Sequence, residues 1–340
     1  MNTEFINDET KLNDKDFYIS QCMLTKYINK DNRDEEKMKH WFNYIKEVIC
    51  NNDEICYEYF NQWLGFIINN PNDKSGKAIT LIGKQGCGKT TLVEFLSTYI
   101  FGLYNSKPNL AGFDDLLKNF NSDLIGKKFI CINEMANKKD SFRSNFDKMK
   151  TLITDKDLNV NKKFMESMDT KQSFEFILCS NNLNSLNIED NDRRCFLLQV
   201  SDEYMQNSDY FGELRDNIMD QESANMIYSY YKDLNVGQEF HKLVLPETEL
   251  KKELKELSKQ SPELYIDYLR NLNDISDIIN DFKVVDNIYR YRASYLYDDY
   301  KQWCLTNNEK LFSNTKFGSY IKNKCGLECI RSRDGVYYVM

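Results

Sequence analysis

No run of roughly eighteen apolar residues, the length a helix needs to cross a bilayer, occurs in the 340-residue chain, and no membrane span is expected. The opening MNTEFINDETKLNDKD lacks the apolar centre of a secretory signal, and residues 1–20 read as a polar, poorly ordered start. Excess positive charge is missing too. The net charge of −8 argues against a generally basic nucleic-acid coat protein and confines any nucleic-acid contact to local elements. Ten cysteines are present without the spacing of a disulfide framework. Cys131 and Cys179 sit inside apolar runs and read as small buried hydrophobes, and Cys325 and Cys329 lack the Cys or His partners of a zinc site. A reducing, cytosol-like setting is the expectation.

What is present is a soluble composition, 41% hydrophobic and 29% charged, long enough for two or three domains. Residues 78–100, AITLIGKQGCGKTTLVEFLSTYI, organise the chain. An apolar run predicts a buried strand, GKQGCGKT (83–90) follows, and apolar spacing from Leu92 predicts a helix. Strand, glycine loop and helix form the context that G-x-x-x-x-G-K-[ST] requires. Gly83, Gly86 and Gly88 let backbone N–H groups, those of Cys87 and Thr91 among them, face an anion. Lys89 then reaches the β- and γ-phosphates, and the Thr90 hydroxyl ligates Mg²⁺. A nucleoside triphosphate, ATP, is the expected ligand.

Upstream, Asp34 to Asn69 carries apolar residues at helical spacing, either a collar or oligomerisation domain or a helical extension of the core. Asn70–Gly76 is a turn cluster and marks a boundary. Downstream, Phe129–Ile132 is a second strand ending in Asn133 and Glu134. Glu134 reads as the base that orients the attacking water, or as a helix N-cap acid. Asn133 stands where an Asp is usual and can orient a metal-bound water without adding charge. Residues 141–153 read as a helix, and 157–164 as part of a hairpin with Lys162, Lys163 and Phe164 near its tip. Taken alone, that tip reads more readily as a solvated turn than as a nucleic-acid loop, although lysines neutralise phosphates and aromatics stack on bases.

A third strand, Phe174–Cys179, leads to Asn181, either a γ-phosphate sensor or an ordinary turn residue. Asp192-Arg193-Arg194 precedes a fourth, Cys195–Val200, and the arginines read as reaching a neighbouring subunit's nucleotide or as a surface pair. Four strands separated by helices predict a doubly wound α/β core, with Lys89, Glu134, Asn181 and Arg194 at or near strand ends. Residues 204–285 read as a helical connector. In 286–340 an aromatic helix, a second helix near 314–324 and a terminal hairpin outline a winged helix or a small protein-docking domain. Residues 138–163 and 310–340 are each locally +4, with eight basic against four acidic residues and six against two.

Together these pieces resemble superfamily 3 (AAA+) helicases, especially the helicase part of poxvirus-type and phage or plasmid primase-helicases. GKQGCGKT (83–90) is similar to motif A and FICINEM (129–135) to motif B. MKTLITDKDLNVNKKF (149–164) resembles motif B′, FILCSNN (176–182) motif C, and DRRCFLLQV (192–200) the arginine-finger stretch. The resemblance spans residues 35–340 and favours the nucleic-acid reading of Lys162, Lys163 and Phe164, Asn181 as sensor, and Arg194 ahead of Arg193 as finger. It implies an α/β P-loop AAA+-like core with an N-terminal helical domain and a C-terminal winged helix. The segments are then 1–72, 73–203, 204–285 and 286–340. It further implies ATP and Mg²⁺, a homo-hexameric ring on single-stranded or forked DNA, no membrane, and work in the cytoplasm, the host's if the source is viral. No room for a primase domain is seen before residue 35, so either priming belongs to a separate primase or polymerase chain, an expected partner, or this is the helicase portion of a larger system. An ATP-dependent DNA helicase is the favoured expectation; an ATP-controlled initiator or DNA-binding switch and, more weakly, a packaging translocase are the alternatives.

Overall fold

The computed structural model describes residues 25–116, 121–133, 148–161, 163–164, 166–181, 192–237, 239–272, 282–285, 288–333 and 335–339. Two compact units divide the chain at 255/256, whereas the sequence reading set its boundaries at 72/73, 203/204 and 285/286.

The first unit is built on β1 (Ala78–Ile82), β2 (Ser106–Leu110), β3 (Phe129–Asn133), β6 (Glu175–Ser180) and β7 (Cys195–Gln199). They form one parallel sheet in the order β2-β3-β6-β1-β7. The sequence reading recognised four of these strands. It missed β2 because Ser-Lys-Pro-Asn-Leu carries neither an apolar run nor alternation, and only an edge strand tolerates Pro108. Alternation of side chains supplies two cores. Ile79, Leu81, Cys131, Ile177, Phe196 and Leu198 face one; Ile82, Ile130, Ile132, Phe176, Leu178 and Leu197 face the other.

Helices α1 (Glu35–Asn43) and α2 (Glu54–Asn69) join the first of these cores, with Asp34 and Asp53 as side-chain N-caps. A widened turn, Tyr44–Ile49, extends α1. Helices Ser208–Ile218 and Gln221–Asp233 pack into the same core, where Trp41 Nε1 donates to the Tyr231 hydroxyl at 2.9 Å. The N-terminal helices and part of the expected connector therefore share one interior with the sheet. Strands β4 (Asp157–Val160) and β5 (Met168–Lys171) form an antiparallel hairpin anchored by the buried Leu158 and Val160.

The second unit carries helices Ser261–Arg270, Ala293–Asn307 and Asn314–Asn323. Its antiparallel sheet, in the order β10-β11-β9-β8, comprises β8 (Phe282–Val285), β9 (Ile288–Arg292), β10 (Glu328–Ser332) and β11 (Gly335–Val339). The expected helix–helix–hairpin outline is thus enlarged by one helix and one hairpin. Tyr300 stacks on Phe317 with ring centroids 4.3 Å apart, and Gly318 lets the last helix approach the Tyr338 hydroxyl.

Candidate functional site: a glycine-rich loop at the strand ends

The carboxyl end of β1 opens into residues 83–88 and then α3 (Lys89–Phe95), which a widened turn, Leu96–Ile100, continues. Gly86 and Gly88 take φ values of +81° and +106°, which turn the backbone into a concave loop at the helix start. A Cβ at Gly88 would stand 3.0 Å from the Phe211 ring, so absence of a side chain is required there twice over. Two further contacts pin the loop: Tyr44 donates to Gly88 O at 2.9 Å, and Gln206 N donates to Gly86 O at 3.1 Å.

Lys89 is 9% exposed and its ammonium is turned into the loop. It donates to Gly83 O at 2.6 Å, Lys84 O at 2.8 Å and Asn181 Oδ1 at 3.0 Å. The last bond follows from topology. β6 lies beside β1 with Ser180 opposite Ile82, so the residue after each strand meets the other at the same edge. On the far side of β6, Asn133 pairs with Cys179 and reaches the same edge, where its amide donates to Asn109 Oδ1 at 2.8 Å. A cavity of about 470 Å³ opens here, lined by Gln85, Lys89, Thr90, Asn133, Asn181 and Arg215, among others.

The site thus brings together Gly83, Gly86, Cys87, Gly88, Lys89, Thr90, Thr91, Asn133 and Asn181. Glu134 and Lys162 lie outside the described residues, as do Phe142 and Phe146 of the expected 141–153 helix, described from 148 to 154. The concave loop, the buried ammonium and the Thr90 hydroxyl suit a magnesium-bound triphosphate chemically. Sequence reasoning missed Tyr44, Asn109, Phe211 and Arg215, which no motif marks.

Arg193 and Arg194 sit elsewhere. β7 is parallel to β1 with Cys195 opposite Ala78, which puts both arginines at the amino edge of the sheet, away from the glycine loop. This corrects the grouping of Arg194 with Lys89 and Asn181: these arginines flank the start of a strand, not its end. Asp192 Oδ1 caps the turn, accepting from Arg194 N at 2.8 Å and Cys195 N at 2.9 Å. Arg194 Nε is buried without a hydrogen-bond partner. Around them a cavity of about 1030 Å³ gathers Lys74, Lys77, Lys156 and Lys251. Lys77 donates to Arg193 O at 2.8 Å, and burial, aided by Arg193, brings its amine down to about 8.

At the β4–β5 tip Phe164 is 92% exposed and held at φ +65°, with the Lys163 ammonium 5.0 Å from its ring centroid. The tip therefore projects an aromatic face and a cation into solvent.

Residues 81–194 match a family of unknown function, DUF5906, a stretch running from β1 to the start of β7. Over 143 residues, 42% of this chain, the sequence is 33% identical to the DNA primase-polymerase of Nitratiruptor phage NrS-1. That match spans 19% of the phage protein's length. Two solved apo structures of the NrS-1 C-terminal region superpose with TM-scores of 0.66, at 20% and 21% identity. Each alignment covers 94% of this chain and 77% of the solved one, so the fold is shared along nearly the whole chain. Among the described residues no helix is long and apolar enough to cross a membrane.

Proposed function

We propose that this chain is the ATP-hydrolysing motor of a viral or mobile-element DNA replication system, a helicase of the superfamily 3 type. The observation that carries the proposal is Lys89, set in the glycine loop at the end of β1 and bonded to Asn181 at the end of β6. In this reading the loop amides and Lys89 bind the β- and γ-phosphates, and Asn181 senses the γ-phosphate. Glu134 orients the attacking water. Thr90, with Asn133 and Glu134 through water, would hold Mg²⁺, which neutralises charge on the phosphate oxygens.

Arg194, with Arg193 beside it, lies too far around the sheet to serve its own loop. That placement supports service in trans, and with it a ring, a homo-hexamer as the resemblance implies. An arginine finger is worth about 10³–10⁵ in rate. Lys162, Lys163 and Phe164 would contact single-stranded DNA at the hairpin tip, supported by the exposure of Phe164. The 256–340 unit would serve as a winged-helix-like DNA-binding domain, and the N-terminal helices as the collar. The likeness to a phage DNA primase-polymerase supports a replication setting in the host cytoplasm, alongside a primase or polymerase.

The test is ATPase rate with and without single-stranded DNA, for wild type and Arg194→Ala, with mass by light scattering under ATP and strand displacement on a forked duplex. DNA-stimulated turnover by a ring, lost in Arg194→Ala despite retained ATP binding, is expected. A monomer whose turnover ignores DNA and that binds duplex without unwinding it would overturn the motor in favour of the initiator switch.

A further inference from the structure

One segment beyond the sheet, residues 202–215, touches the glycine loop and α3 at four points. Asp202 pairs with Lys84 at 2.6 Å, and Gln206 N donates to Gly86 O at 3.1 Å. Phe211 stands against Gly88, and Arg215 pairs with Glu94 of α3 at 2.9 Å. Tyr204 and Tyr210 stack within the segment at 3.9 Å, which stiffens it. Lys89 and Arg215 are the cations among the described residues lining the 470 Å³ cavity. Lys89 is engaged by loop carbonyls and Asn181; among the described residues Arg215 has a single carboxylate partner, and both members of that pair are partly exposed.

Position decides what Arg215 would meet. Asn133 and Asn181 continue β3 and β6 and mark the end of the cavity beside Lys89. Glu94 lies four residues after Thr90, about 6 Å along the helix axis, and its partner Arg215 lines the cavity together with Thr91. We propose that Arg215 is a nucleotide-positioning residue that leaves Glu94 to hold the inner phosphate and ribose of a nucleoside 5′-triphosphate. Phe211 lines the same cavity and stands against Gly88. The proposal rests on the triphosphate reading of the site. Glu94 is then a competitor for the arginine, and binding is an exchange of one anion for another.

The experiment is equilibrium titration of the full chain with fluorescent ATP and ADP analogues, for wild type, Lys89→Ala, Arg215→Ala and Glu94→Gln. Arg215→Ala should weaken ATP and ADP alike by about tenfold, the usual scale of one charged hydrogen bond. Glu94→Gln should tighten both, because the competing carboxylate is gone. Wild-type affinity in Arg215→Ala, a loss confined to ATP, or no gain in Glu94→Gln would overturn the proposal while leaving the phosphate-loop reading intact. A folded wild type that binds neither nucleotide, or a Lys89→Ala that binds both as wild type does, would overturn that reading and this proposal with it.

Discussion

Lys89 Nζ lies 3.0 Å from Asn181 Oδ1, joining residues 92 positions apart across the ends of two adjacent parallel strands. The bond sets the lysine at the loop and the asparagine beside the place a terminal phosphate would occupy. Lys89→Ala should abolish nucleotide binding. Asn181→Ala should keep affinity within a few-fold while lowering kcat by about 10², the effect of removing one donor that acts chiefly in the transition state. Nucleotide titration beside steady-state turnover separates the two.

Gly88 carries φ +106° and abuts Phe211. Gly88→Ala should cost about 1–3 kcal/mol from the backbone alone. Trimming the ring in a Gly88→Ala/Phe211→Leu double variant should recover little of it. Gly212→Ala, inside the Ser208–Ile218 helix where nothing stands within 4 Å of the added carbon, is the control and should stabilise by up to about 1 kcal/mol. Thermal unfolding of the three variants checks the ordering.

Phe164 holds a left-handed backbone conformation while its ring faces solvent. Phe164→Gly should leave stability unchanged or raise it by about 1 kcal/mol, since glycine relieves the conformational cost. It should also weaken single-stranded DNA binding by about 1–3 kcal/mol, the worth of one stacked base. Denaturation and fluorescence anisotropy on the same variant check the two effects separately, with weaker binding at no cost in stability as the expected pair.

Glu175 is buried at the start of β6 beside Lys128 at 3.7 Å, accepts from Ser75 N at 2.8 Å and Ser75 Oγ at 2.5 Å, and adjoins the buried Lys74. Burial pushes the Glu175 carboxyl up and the Lys74 and Lys128 amines down. Glu175→Gln would leave the buried Lys128 ammonium without its carboxylate partner, and a loss of about 3–5 kcal/mol is expected in urea denaturation.

Lys77 supplies the pH prediction. Its folded amine titrates at about 8, below the ordinary value of about 10.4, so between these values the unfolded chain binds more protons. Stability should therefore rise as pH climbs through that window, the cost of burying the charge being fully present below it. Lys77→Met should flatten the rise, read as urea midpoints at about pH 7 and about pH 10.

Much of the site was legible because it is local. The glycine spacing, Lys89 and Thr90 are consecutive, and the apolar runs ending in Asn133 and Asn181 announce strands whose ends carry polar residues. β2 was not legible, since an edge strand needs no hydrophobic pattern, and neither were Tyr44, Phe211 and Arg215. They reach the loop from helices of ordinary amphipathic composition, and nothing in such a helix says which turn will face a neighbour.

Local chemistry in the sequence was thus enough to determine the glycine loop, the strand–helix alternation and the antiparallel β4–β5 hairpin, because each depends on residues within one or two turns of one another. Strand order was decided only in three dimensions. The β2-β3-β6-β1-β7 arrangement sets Asn181 beside Lys89, and the parallel course of β7 carries Arg193 and Arg194 to the opposite edge. Pairing of distant strands is a cooperative outcome of which faces can be buried together, and no single segment encodes it.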